Sequence, residues 1–306
     1  MIKKIPLPIT GVMLGLAALG NLLQSYSEGV RLFCGVLSGI LGLLFLCKVI
    51  CYPKLVWRDL QNPMIASTTP TFSMALMLLS VYLQPFFGDG MVYLWMFAIL
   101  LQIVIMVWFT ITFVIKRFDL KQVYPGYFVM YVGIVVASVT APAYGQEELG
   151  TNIFWFGFVM LLFCLLLITY RYRKHREIPE PAMPLFCIYT APCNLCLAGY
   201  LQSVENPSII IIIFLATLGF AIYCLVVSRL PKLLRLPFYP SYAAFTFPFV
   251  ISAIALKQTT AYLVQQYSSI WAWLNWLVLI QTIIAVLIVF YALFRYLRFL
   301  FRKEVS

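Results

Sequence analysis

The chain has 306 residues, 63% of them hydrophobic and only 10% charged, against roughly 25% charged in an ordinary soluble domain. Its mean hydropathy is +0.97 and its net charge is +11. No water-soluble fold hides that much apolar surface. The length leaves no room for a large soluble or built-in regulatory domain, so residues 1–306 read as a single transmembrane domain with short tails.

In chain order, "MIKK" followed by "GVMLGLAALG" imitates a signal peptide. Pro6 and Pro8 interrupt it and no A-x-A site follows, so it reads as a retained first helix. A helix needs about 20 apolar residues to cross the hydrocarbon. On that basis ten spans are predicted, near 8–24, 30–51, 62–86, 91–115, 124–143, 150–171, 183–203, 207–229, 239–263 and 270–297. Helices satisfy their own backbones in lipid, and these runs are too long and continuous for barrel strands.

This count sorts the basic residues. Of the 21 Lys and Arg, all but Arg31 and Lys257 fall on one side, in clusters from Lys3 and Lys4 to Arg302 and Lys303. The positive-inside rule then places both termini in the cytoplasm and the protein in the plasma (inner) membrane. The net charge is explained by these juxtamembrane clusters, which suit anionic lipid. They do not indicate nucleic acid.

Prolines separate the odd from the even spans. Pro8, Pro70, Pro125, Pro142, Pro192 and Pro248 lie on odd spans, together with small or polar interruptions such as "ASTTPTFS" and "AAFTFP". Even spans run cleaner, as in "IIIFLATLGFAIYCLVV", although Gln102, Asn275 and Gln281 sit on them. Such residues are tolerated where other helices or water take up the freed carbonyls. The pattern predicts five hairpins, each with a kinked inner helix and a straight, lipid-facing outer one.

The spans carry almost no ionisable groups. The acidic residues, Glu304 included, and the single His175 fall in loops, while Lys48 and Lys257 lie near span ends, where they can snorkel. An embedded metal site, an intramembrane hydrolase, a carboxylate-ringed cation channel and a carboxylate proton relay all lack their residues. No cofactor is expected, and the chain does not read as an enzyme. The Cys193–Cys196 C-x-x-C has membrane-like flanks and no nearby histidine, so it reads as two small buried thiols. An apolar, hydroxyl-lined path remains, and it suits anions.

Four stretches carry a family resemblance: "PLPITGVMLGLAAL", "YPGYFVMYVGIVVAS", "YTAPCNLCLAGYL" and "AAFTFPFVISAIAL". They resemble the first, fifth, seventh and ninth helices of the tellurite-resistance/dicarboxylate transporter family. That family includes bacterial tellurite-resistance channels, yeast malate and sulfite transporters and the plant guard-cell slow anion channel. The resemblance covers nearly the whole chain. It implies ten helices as five hairpins in quasi-fivefold order, a central pore lined by the odd helices, homotrimers with one pore per protomer, and an occluding phenylalanine on the ninth helix. Matching "FTFP" residue by residue puts that ring at Phe247, before Pro248.

Spacing alone leaves open which of Phe245, Phe247 and Phe249 faces inward, and Phe247 reads equally well as a packing residue. The expected path passes Thr10, Gly15, Thr69, Ser73, Ser138, Thr190, Asn194, Thr246 and Ser252. Pro248 is expected to remove the hydrogen bond to the Ala244 carbonyl and weaken the helix beside the plug. The functional expectation is an anion channel for small inorganic anions and dicarboxylates. The alternative is a proton-linked C4-dicarboxylate or sulfite/tellurite carrier, which the lack of an acidic coupling residue disfavours.

Overall fold

The computed structural model describes residues 2–302, all helical or irregular, with no strand among them. Lys303 and Glu304 lie outside the described residues. The helices are α1 (Ile9–Leu23), α2 (Glu28–Cys51), α3 (Pro53–Leu60), α4 (Pro63–Ala66), α5 (Thr71–Phe87), α6 (Met91–Phe109), α7 (Gly126–Tyr131), α8 (Val136–Thr140), α9 (Glu147–Lys174), α10 (Ala191–Ser203), α11 (Ile209–Leu233), α12 (Phe247–Gln266) and α13 (Leu274–Phe301). Short 3-10 turns join many of them, and α6 ends in a π-helical turn at Thr110–Ile115.

Among the described residues, seven helical stretches are long and apolar enough to cross a membrane. One of them, Pro63–Ile115, is 53 residues long and contains both α5 and α6. The chain reverses there at Gly88, whose φ of 67° is accessible to glycine without a Cβ clash. Two further apolar stretches, Ile9–Leu23 and Gly133–Tyr144, are shorter.

Sequence pattern decides which segments are enclosed. The large exposed hydrophobics within long helices belong to α2, α6, α9, α11 and α13, for example Leu43, Tyr93, Leu166, Ile210 and Leu287, apart from Phe86 and Phe87 at the end of α5. Their outward faces suit a hydrocarbon solvent. The most apolar window of α11 is 28% buried, against 83% for Glu180–Ser203. Helix α1 is buried over nearly its whole length, from Ile9 to Leu22.

The odd spans are not continuous kinked helices, as the prolines suggested. Each changes conformation at its proline. Pro8, Pro70 and Pro125 are the N-caps of α1, α5 and α7, and Pro192 and Pro248 stand in the first turn of α10 and α12. In the last two cases a 3-10 segment, Glu180–Thr190 or Pro240–Phe245, precedes the α-helix. A first-turn proline removes an N–H that has no intrahelical partner anyway, so it starts a helix rather than breaking one.

The interior is tied by polar contacts across helices. Gln102 on α6 is fully buried, accepts from Ser73 and faces the Met130 carbonyl at 3.5 Å. Trp95 Nε1 donates to Thr140 at 2.7 Å. Two basic residues expected at a snorkelling or surface position are buried instead. Lys48 donates to the Ile5 carbonyl and lies 3.4 Å from Asp59. Arg171 donates to the Lys121 carbonyl at 2.9 Å between the rings of Tyr124 and Tyr172. Both find oxygen partners within reach, which a long side chain takes in preference to extending along the helix.

Candidate functional site

Among the described residues, two sizeable cavities lie within the bundle, and a small third one of about 20 Å³ lies between α10, α11 and α12. The first, of about 220 Å³, is lined by Pro8, Pro192 and Pro248 at the proline breaks and by Met64, Pro181 and Tyr239 near the basic end. The second, of about 440 Å³, lies toward the opposite end and is lined by Asn21, Arg31, Gln202, Lys257 and Gln258 among others. Only Phe247 and Leu195 line both.

Their walls step past each other by one helical turn. Leu14 faces the first cavity and Ala18 the second; Met74 is followed by Leu78, and Val132 by Val136. Residues four apart share a helix face. The division between the cavities is therefore an apolar collar of one turn, contributed by α1, α5, the Val132–Val136 segment, α10 and α12, with Phe247 and Leu195 at its level.

The three phenylalanines separate cleanly. Phe247 is 6% exposed and borders empty volume on two sides. Phe245 is fully enclosed and packs on Tyr242, with ring centroids 4.8 Å apart. Phe249 is fully enclosed against Tyr223 of α11 at 5.9 Å. Phe249 lies two residues along α12, about 200° around the helix from Phe247, and Phe245 belongs to the 3-10 segment before the break at Thr246, so both rings face away from the cavities.

The backbone before Phe247 is clamped. Thr246 has φ −95° and ψ −90°, between the 3-10 segment and α12. Its hydroxyl faces the Gly11 and Ala243 carbonyls, each at 2.7 Å. A Cβ built on Gly15 would overlap the Thr246 side chain and stand 3.1 Å from the Phe247 nitrogen, and one on Gly11 would lie 2.9 Å from the Ala243 Cβ. These two glycines let α1 lie directly against the break, as small residues four apart do between membrane helices. Pro248 follows as the second residue of α12, so the expected loss of a hydrogen bond to Ala244 is replaced by a change of helix type at Thr246.

The expected lining residues lie elsewhere. None of Thr10, Gly15, Thr69, Ser73, Ser138, Thr190, Asn194, Thr246 and Ser252 borders either of the two larger cavities, and Asn194 and Ser252 border the small third one. Thr10 pairs with Thr71 at 2.7 Å, and Thr69 and Thr190 donate to the carbonyls of Ala66 and Cys187. Ser73 bonds Gln102, Ser138 donates to the Gly150 carbonyl, and Asn194 donates to Ser252 at 3.0 Å. In a dry interior a hydroxyl is drawn to the carbonyl three or four residues back, or to a neighbouring helix, and this leaves apolar side chains on the axis. Cys193 and Cys196 are free and buried.

The cavities differ in chemistry. Hydroxyls on the first, Thr68, Thr71 and Ser241, are spent on the Ile65, Thr68 and Pro181 carbonyls. The second presents amides and two cations. Their signal in the sequence was the topology exception itself, since Arg31 and Lys257 are the two basic residues set apart from the other nineteen. No acidic side chain lines either cavity.

Residues 4–297 match the family described as voltage-dependent anion channel, SLAC1. The chain belongs to the SLAC1 family. A SLAC1-family membership agrees with the resemblance carried by the four helix motifs, and with a multi-pass membrane protein that transports solute rather than catalysing a reaction. An uncharacterized transporter of Methanocaldococcus jannaschii is 23% identical, the match covering 67% of each chain.

Proposed function

We propose that this SLAC1-family protein is an anion channel of the plasma membrane whose resting path is closed by Phe247. The reading rests on one observation: that ring lines both axial cavities, while Phe245 and Phe249 pack away from them. In this reading the single domain of 1–306 crosses the membrane ten times as five hairpins in quasi-fivefold order, with both termini and the first cavity cytoplasmic. Three copies assemble as a homotrimer in membrane lipid, each with its own path. Opening moves the Phe247 ring to another rotamer or shifts the segment hinged at Thr246, with Pro248 holding the start of α12. Small inorganic anions are the permeant species, and dicarboxylates such as malate are included where they fit.

The absence of any carboxylate on the cavity walls favours a channel over a proton-linked dicarboxylate or sulfite/tellurite carrier, because a coupling proton needs a titratable group on the path. Flux from proteoliposomes loaded in turn with chloride, nitrate, sulfite and malate tests the reading. A channel gives anion flux that follows the membrane potential and ignores an imposed pH gradient. Flux that requires the pH gradient in every case would replace the channel by a carrier.

A further inference from the structure

The second cavity carries more chemistry than a passive vestibule requires. In the ten-span reading two of the described Lys and Arg residues, Arg31 and Lys257, lie on the end away from the basic clusters, and both line this one cavity. Lys257 stands on α12, ten residues and nearly three turns beyond Phe247. Its ammonium donates to the Ser25 hydroxyl at 2.6 Å and to the Leu22 carbonyl at 3.2 Å. An ammonium has three donors, and among the described residues no carboxylate pairs with this one. Arg31 is buried on α2, with its guanidinium 4.5 Å from the Tyr82 ring centre. It pairs with Glu28 and reaches Asn21 Oδ1 at 3.4 Å. Glu28 offsets one of the two charges but does not line the cavity, so the walls stay cationic.

The remaining polar wall is neutral. Asn21, Gln24, Gln202 and Gln258 bring carboxamide N–H donors. A half-buried cation facing a cleft of one sign focuses the field and raises the local concentration of anions. The volume, about 440 Å³, is about fifteen water volumes at ~30 Å³ each, enough for a small anion with part of its hydration. The same contacts also fit a humbler role, in which Lys257 merely ties α12 to the end of α1. That role predicts no ligand.

We propose that this cavity is an anion-binding site, in which Lys257, with Arg31 behind it and amide donors around it, holds the permeant anion before it meets the Phe247 collar. The proposal deepens the anion-channel reading and rests on it for the identity of the ligand. Binding can nevertheless be read without any flux. Chloride is the probe: the excess 35Cl NMR line width of purified protein in detergent is titrated with chloride and competed with nitrate. Wild type shows saturable broadening. Lys257→Gln raises the half-saturating chloride roughly tenfold, the worth of one hydrogen bond to a charged group; Lys257→Arg keeps it near wild type, as does Lys54→Gln at the basic end. Gln202→Glu, an exposed change that leaves Lys257 in place, puts a carboxylate on the same wall and weakens binding as strongly. This variant carries the test should Lys257→Gln fail to fold.

Broadening that is unchanged in both Lys257→Gln and Gln202→Glu, or missing in wild type, overturns the site. The two readings fail separately. Saturable, Lys257-dependent chloride binding in a protein that passes no anion leaves the site standing and removes the channel. Anion current in a protein whose chloride binding ignores both variants does the reverse.

Discussion

Replacing Phe247 by alanine removes the largest ring from the collar between the two cavities and is expected to turn a closed path into a conducting one. The ring separates volumes of about 220 and 440 Å³, and its collar partners Leu14, Met74, Val132 and Leu195 offer an ion no polar group. Stripping an ion's hydration at such a collar carries an effective penalty of several kcal/mol. If alanine relieves only about 3 kcal/mol of that barrier, the rate of passage rises more than about a hundredfold, at 1.36 kcal/mol per decade. The stability cost is modest by comparison. A core Phe→Ala change costs about 3–5 kcal/mol when the ring is packed on all sides. Phe247 borders empty space on two sides and forfeits fewer contacts, so roughly 1–2 kcal/mol is expected. Phe245 and Phe249 are fully enclosed, so their alanine variants should lose the full ~3–5 kcal/mol and gain no current.

The assay is chloride or nitrate current in planar bilayers or oocytes, with monodispersity in detergent as the folding control. Phe247→Leu should conduct at an intermediate level. A well-folded Phe247→Ala protein as silent as wild type refutes the argument, as does a Phe249→Ala variant that opens equally wide.

Other expectations follow from the clamp and the interior bonds. Gly15→Val forces a side chain into Thr246 and should cost about 1–3 kcal/mol by overpacking, read as a lower melting temperature in detergent, with leak current as the break beneath Phe247 is displaced. Thr246→Val removes the hydroxyl that ties α12 to the Gly11 carbonyl of α1, while the Ala243 carbonyl keeps the Thr246 backbone N–H, and should cost about 0.5–1.5 kcal/mol, the net worth of one hydrogen bond. Gln102→Leu removes the link from α6 to Ser73, whose hydroxyl keeps the Pro70 carbonyl, and is expected to destabilise by about 0.5–1.5 kcal/mol without changing the anion preference; a changed preference in reversal-potential measurements would place Gln102 on the path after all. A membrane-impermeant maleimide should leave Cys193 and Cys196 unlabelled until the protein is denatured, and rapid native labelling would contradict their burial.

Much of this architecture was legible in one dimension. Hydropathy is a local property, so the apolar runs identify the helices, and the cleaner runs around α9 and α11 identify those that face outward. The prolines mark the inner segments because a proline is tolerated only where a helix starts or where neighbours satisfy its carbonyls.

What the chain alone could not settle was direction. Thr10, Ser73, Ser138 and Asn194 sit on the right helices yet turn toward neighbouring helices, since a hydroxyl or amide in a dry interior goes to the nearest carbonyl or polar partner, and that partner is known only when the helices are assembled. Three rings within five residues were equivalent in sequence. Only the family resemblance singled out Phe247; in the structure Gly11 and Gly15 let α1 press against Thr246, where α12 begins, and Phe247 lies between the two cavities. The sequence by itself determined a polytopic helical membrane protein. Tertiary packing decided which side chains meet on the axis, because the rotation of each helix depends on contacts made with residues far away in the chain.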